Sequence, residues 1–194
     1  TVILESGLGT GGVTDWTLVH DEIAGFTRTC AYDRAGIMWS DPKDKPQDAA
    51  AVAEDLHKLL KGAGISGPLV LVGHSIGGPY TRTYVGKYGE QVAGLVMVDP
   101  SHPDQIARLG KVVSIDVHPK RASTLIHTAK ALAWTGIVRF AISRSDKPKL
   151  RTDAETKRLG DALVKSAAYA STSIKGSASE LDGFDRTMDQ ARAV

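Results

Sequence analysis

The first hundred residues alternate short aliphatic runs with stretches whose apolar residues recur every three or four positions. The runs fit strands and the stretches fit helices. Val2 to Leu4 read as a strand ended by the glycine-rich "ESGLGTGG". Trp16, Val19 and Ile23 predict a helix over 15–23. "FTRTCAYD" (26–33) predicts the next strand, and "RAGIMWSDPKDKPQD" (34–48), rich in turn formers, a loop. Val52, Leu56, Leu59 and Leu60 line one face of a helix over 48–61, closed by Gly62 and Gly64. "PLVLVG" (68–73) is continuously apolar, as a strand buried on both faces would be. A helix over 76–88 follows, then a second fully apolar strand, "VAGLVMVDP" (92–100). Strands separated by helices imply an α/β architecture: a mostly parallel sheet covered by helices on both sides.

After Pro100 the pattern changes. No strong strand run recurs, and "STLIHTAKALAWTGIVRFAI" is a long apolar helical segment. Thr152–Glu155 and Ser177–Glu180 both have the spacing of a capping box, in which the first side chain caps a helix and the fourth reaches back. The expected division is an α/β core over 1–101 and a mostly helical region over 102–194.

Composition narrows the function classes. Net charge is +2, from 24 basic and 22 acidic residues, too balanced to favour nucleic acid or an anionic membrane. No run of 18 apolar residues is present to span a bilayer. The single cysteine, Cys30, excludes an internal disulfide and is expected to be a buried, inert thiol. The six histidines are scattered, without the spacing of a metal site, and nothing implies a cofactor. No compartment or oligomeric state follows from these numbers.

"LVLVGHSIGG" (69–78) carries the strongest chemical signal. Gly73-His74-Ser75-Ile76-Gly77 fits G-x-S-x-G and lies between a buried strand and a helix, where a nucleophile elbow requires it. A strand turning that sharply puts Ser75 at a strained apex. Side chains two positions before and after would collide, so Gly73 and Gly77 are needed. The turn lifts the serine hydroxyl above the carboxyl end of the sheet, where ligands of open α/β sheets collect. The Ile76 N–H is free at the helix start, and the Leu8 N–H in "SGLG" can supply a second oxyanion donor. Each such donor is typically worth ~3 kcal/mol in the transition state.

These pieces together resemble the α/β-hydrolase superfamily, and in particular its small esterase-like bacterial members. "VILESGLG", "CAYDRAGIMWSD", "LVLVGHSIGG" and "VAGLVMVDPSHPDQ" match the oxyanion strand and loop, the next strand and turn, the elbow, and the following strand, in the family's order. The commoner His-Gly oxyanion loop is replaced by Glu5-Ser6-Gly7-Leu8. The resemblance implies a truncated α/β-hydrolase fold, with 102–194 as the helical cap. It places a catalytic acid and a histidine after later strands, so both are expected beyond residue 194, and the family's first strands before Thr1. It implies a serine hydrolase without cofactor, acting on small carboxylic esters through an acyl-enzyme on Ser75. Amide or lactone cleavage and acyl transfer remain alternatives, as does a catalytically silent binding module. Dehalogenase and epoxide hydrolase relatives use Asp where Ser75 stands.

Other residues are weighed beside these. Asp99 ends the strand after the elbow helix and is a candidate acid; an Asx-type hydrogen bond holding the "DPSH" turn is the plainer reading. Asp33 and Arg34 fit an ion pair or loop-fixing hydrogen bonds. His74 reads as packing, and His20 and His57 as surface residues. His102, at the carboxyl end of a strand, lies nearer the expected site, and His118 and His127 lie in the cap. Trp39 fits a pocket wall or loop packing. The apolar residues between Leu125 and Phe140 fit a lid over an acyl pocket or ordinary packing.

Overall fold

The computed structural model describes residues 1–9, 12–112, 120–132, 135, 140, 152–168 and 170–194. Four strands form one parallel sheet: β1 (Val2–Glu5), β2 (Thr29–Ala31), β3 (Leu69–His74) and β4 (Val92–Val98), in the order β2-β1-β3-β4. The fold class read from the apolar runs holds. Helices α1 (His20–Ala24), α2 (Ala49–Gly62) and α3 (Gly77–Tyr88) connect the strands. After β4 come α4 (Gln105–Val112), α5 (Lys120–Leu132), α6 (Asp153–Ala168), α7 (Ala170–Asp182) and α8 (Phe184–Arg192).

Alternation along the strands sets the two faces. Ile3 and Leu71 meet Leu56, Leu60 and Tyr84 from α2 and α3 on one face. Leu4 and Val72 meet Trp16 on the other. α8 adds Phe184 and Met188 to a cluster with Val52, Ile76 and Tyr80. Burying each large side chain of this kind contributes about 1.5–3 kcal/mol. Cys30 is a half-buried free thiol packed at the edge of the first cluster.

Several elements end where side-chain chemistry stops them. α2 starts after Asp48, whose Oδ1 accepts from the Ala51 N–H at 3.0 Å. The box at Thr152 forms reciprocally: the Glu155 N–H donates to Thr152 Oγ1, and the Thr152 N–H donates to Glu155 Oε2, both at 3.1 Å. α6 begins at the next residue.

Four expectations change. The helix over 15–23 is two pieces, a 3-10 turn (Gly12–Trp16) and α1, because the Trp16 indole is drawn inward to donate to Ser6 Oγ at 2.9 Å. The second strand shrinks to three residues, ending where its pairing with β1 ends at Leu4 and Ala31. Ser177–Glu180 opens no helix; it lies inside α7. Among the described residues β4 is not covered on both faces: it is the outer strand there, and Leu95, Val96, Met97 and Val98 are 37–46% exposed. An apolar run records what a strand suits, not which elements cover it. The end of the long apolar segment after Leu132 falls largely outside the described residues, as does His118.

Candidate active site

The turn from β3 into α3 has the geometry that the glycines foretold. Ser75 sits at φ +52°, a left-handed backbone that non-glycine residues rarely adopt. A Cβ on Gly73 would stand 2.6 Å from the Gly77 carbonyl oxygen, and one on Gly77 would stand 2.5 Å from the Glu5 carbonyl oxygen. Neither position has room for a side chain. The Ser75 N–H donates to the Val98 carbonyl at 3.2 Å, and the Ser75 carbonyl accepts from Gly78 at 3.0 Å and Ser101 at 2.8 Å. The strained residue is thus pinned by its own helix and by the end of β4.

The loop after β1 reaches the same point. A Cβ on Gly7 would lie 3.3 Å from Ser75 Cβ and 2.9 Å from His74 Nδ1, so the loop passes close against both residues. Leu8 follows, 38% exposed. Ile76 caps α3 with its side chain buried. Among the described residues, neither the Leu8 nor the Ile76 N–H donates to a protein acceptor.

Beneath this loop lies a buried charge cluster that the sequence reading reached only in part. Arg34 is 6% exposed. Its Nε donates to Glu180 Oε1 at 2.6 Å, and its Nη2 donates to Glu180 Oε2 at 3.0 Å. Nη1 donates to Glu5 Oε1 at 2.6 Å and to the Ser6 carbonyl at 2.7 Å; Nη2 also donates to the Gly7 carbonyl at 2.7 Å. All five guanidinium donors are used. The Tyr32 hydroxyl donates to Glu5, and the Arg34 guanidinium lies 5.1 Å from the Tyr80 ring centre.

Two carboxylates share one cation here, and the titrations follow. Burial pushes the Glu5 carboxyl above its ordinary range, against the pull of Arg34 and the Tyr32 hydroxyl, with Glu180 adding to the rise. Burial works against the Arg34 cation, but Glu180 and Glu5 outweigh it and hold the guanidinium charged. Burial and Glu5 hold the Tyr32 phenol protonated. Glu180 comes from α7, 146 residues away from its partner; local spacing could not find that pair.

Asp99 stands exposed after β4 at φ +42°, and its carboxylate forms no hydrogen bond or ion pair among the described residues. The Asx-type bond expected there is not made; the Ser101 N–H holds the turn instead. Asp33 Oδ1 accepts from the Val13 N–H at 2.8 Å, a loop-fixing role. His74 is half-buried against Gly7. His57 is no plain surface residue: its ring stacks on Tyr88 at 4.0 Å. His20 sits 3.0 Å from Asp21. His102 Nδ1 accepts from the Asp104 N–H, and His127 Nε2 lies 3.0 Å from Asp182 Oδ1. Trp39 is half-exposed beside a cleft lined by Thr17 and Arg158. Among the described residues no group of His, Cys, Asp and Glu could hold a metal ion, and no helix is long and apolar enough to cross a membrane.

The chain is similar to several known proteins. A protein of unknown role from Bacillus subtilis is 34% identical over 107 residues, which are 54% of this chain and 41% of that protein. A Schizosaccharomyces pombe protein, also uncharacterized, is 36% identical over 88 residues, 45% of this chain and 16% of its own length. Epoxide hydrolase 3 of Xenopus tropicalis is 32% identical over 90 residues, 45% of this chain and 24% of that enzyme. The chain thus spans less than half the length of these relatives. Among solved structures, a thermophilic esterase from Thermogutta terrifontis superposes with a TM-score of 0.65 at 20% identity, over 95% of this chain and 62% of that one. A carboxylesterase from Nitrososphaera gargenis gives 0.64 at 21%, over 99% of this chain and 67% of that one. At such identities the likeness speaks for the fold. A family model described as the alpha/beta hydrolase fold matches residues 1–132. With a parallel sheet, a strained serine between β3 and α3, and that match over two thirds of its length, the chain belongs to the α/β hydrolase fold family.

Proposed function

We propose that this chain carries the nucleophile and the oxyanion-binding half of a serine hydrolase that cleaves carboxylic esters. The observation that carries the reading is Ser75 at φ +52° on the β3–α3 turn with Gly7 packed beside it. Family membership and the esterase folds support hydrolysis; Ser75 and its two amides add the acyl-transfer step.

In this mechanism Ser75 Oγ attacks the ester carbonyl carbon while its proton passes to a base outside the described residues. The carbonyl electron pair moves onto oxygen, and the Leu8 and Ile76 N–H groups donate to that oxyanion. The tetrahedral adduct collapses, the alcohol leaves with the proton, and Ser75 keeps the acyl group. Water, deprotonated by the same base, then frees the acid and restores the serine. Asp99, exposed at the end of the neighbouring strand, is the candidate acid within the chain. Residues 102–194 are read as a cap over the site.

A second reading, a silent binding module on the same fold, draws on one observation. Among the described residues no imidazole bonds Ser75 Oγ; His102 and His127 are engaged with Asp104 and Asp182. Ser75→Ala in the longest natural chain carrying these residues separates the two. Ester turnover on p-nitrophenyl butyrate is expected to fall by roughly 10⁴-fold or more. Turnover at the unsubstituted rate would refute the proposal. A panel of esters, amides and lactones ranks the acyl chemistries.

A further inference from the structure

We infer that Arg34 is a positioning residue for the oxyanion donor at Leu8, and that Glu180 on α7 makes that position depend on how the C-terminal helices are seated. The inference rests on the reading of the Leu8 N–H as an oxyanion donor.

The link is the peptide plane. The Gly7 carbonyl and the Leu8 N–H belong to one rigid planar unit and point in opposite directions. Arg34 Nη2 holds that carbonyl at 2.7 Å, and Nη1 holds the preceding carbonyl, Ser6, at the same distance. Two successive planes are therefore fixed from behind by one cation. Turning the Leu8 N–H away would break a buried, charge-assisted hydrogen bond. Donation into the Gly7 carbonyl also polarises the same amide, making its N–H a better donor.

The guanidinium is fixed in turn by α7. Glu180 engages it through both carboxylate oxygens, and the opposing Glu5 carboxylate closes the fork. α7 touches the loop a second time: Ser177 Oγ reaches the Gly9 carbonyl at 2.9 Å and the Ser173 carbonyl at 2.8 Å, its single proton serving one at a time. The helix has no slack against the loop over 36–38. A Cβ on Gly176 would stand 2.5 Å from the Gly36 carbonyl, and the Met38 N–H donates to Ser173 Oγ at 2.9 Å. Glu180 is 0% exposed, so a shift of α7 carries Arg34 with it or leaves Glu180 buried without its cation.

Steady-state kinetics on p-nitrophenyl butyrate, with the rate of Ser75 labelling by a fluorophosphonate, test this in the longest natural chain. Arg34→Lys keeps the charge but loses the planar fork, and should lower kcat and the labelling rate by roughly 10²-fold, the scale of one misdirected donor. Glu180→Gln should lower both about 10-fold, and Ser177→Ala about 3-fold, since each loosens the same donor without removing it. KM stays within about 2-fold, because the donor acts on the transition state rather than on bound substrate. Lys43→Ala, which breaks an exposed ion pair with Asp55, leaves both rates unchanged. Rates are taken per folded molecule by circular dichroism, and Ser177→Ala decides the matter if the two charge variants do not fold. Unchanged kcat and labelling in folded variants, or a loss confined to KM, overturns the inference while a labelled Ser75 leaves the nucleophile reading standing. An unlabelled Ser75 in the unsubstituted chain overturns both.

Discussion

The two sides of Ser75 are built to different standards. On the β1 side all five Arg34 donors are matched and its two carboxylate partners are buried with it, at 6% exposed for Arg34, 1% for Glu5 and 0% for Glu180. On the β4 side the strand is 37–46% exposed along Leu95 to Val98, and Asp99 stands in solvent without a partner among the described residues. Two backbone hydrogen bonds, from Ser75 to Val98 and from Ser101 to Ser75, tie that side to the serine. The contrast separates two requirements. Under the proposed function, the Leu8 oxyanion donor needs a fixed backbone, and Arg34 holds the Ser6 and Gly7 carbonyls before it. The proposed mechanism also needs a base for the serine proton, and among the described residues no imidazole is hydrogen-bonded to Ser75 Oγ.

The largest effect that sharpens this contrast is on stability. Arg34→Met leaves Glu5 and Glu180 buried without a cation and should cost about 3–5 kcal/mol in urea denaturation. Asp104→Asn, which breaks the exposed contact with Arg192 on the β4 side, should leave the midpoint unchanged within error. A loss from Asp104→Asn equal to that from Arg34→Met would erase the distinction.

A smaller effect compares the strands themselves. Leu71→Ala on β3, fully buried, should cost about 3 kcal/mol. Val96→Ala on β4, 46% exposed, should cost under about 1 kcal/mol. Equal costs in the same denaturation series would mean that β4 is covered in solution.

The smallest effect is on pH dependence. The folded Glu5 carboxyl binds its proton more tightly than the unfolded one, chiefly because it is buried. As pH rises from the ordinary glutamate value of 4.5, the unfolded chain releases that proton first, so this group's contribution to stability falls until the raised folded value is passed. Glu5→Gln should flatten that part of the stability profile. A profile of identical slope in the variant would show that Glu5 titrates normally.

Much of this architecture could be read from local sequence because local sterics dictate it. Gly73 was legible because it sits against the Gly77 carbonyl within the same turn, whereas the carbonyl crowding Gly77 is that of Glu5 on β1, so the motif located a demand that the neighbouring strand makes. The Thr152 box was legible because its partners lie three residues away. Ser177–Glu180 has the same spacing as Thr152–Glu155 but a different outcome. Its serine faces Gly9 and its glutamate faces Arg34, partners from the other end of the chain. The signal that distinguishes the two is the stripe of small and polar residues at 173, 176, 177 and 180, one helical face suited to close approach rather than to a helix start. Two strands show the same limit. β3 and β4 have equally apolar runs, yet one is central and the other is the outer strand. Apolarity states a preference for burial, and the neighbours that satisfy it come from distant sequence.

The account depends most directly on where an activated acylating reagent lands. Treating the longest natural chain with a fluorophosphonate and mapping the adduct by peptide mass spectrometry locates the nucleophile without assuming a substrate. The expected result is a single phosphonylated peptide with the added mass on Ser75, absent from Ser75→Ala. An adduct on another residue, or none under conditions that label a reference esterase to completion, would contradict the central claim.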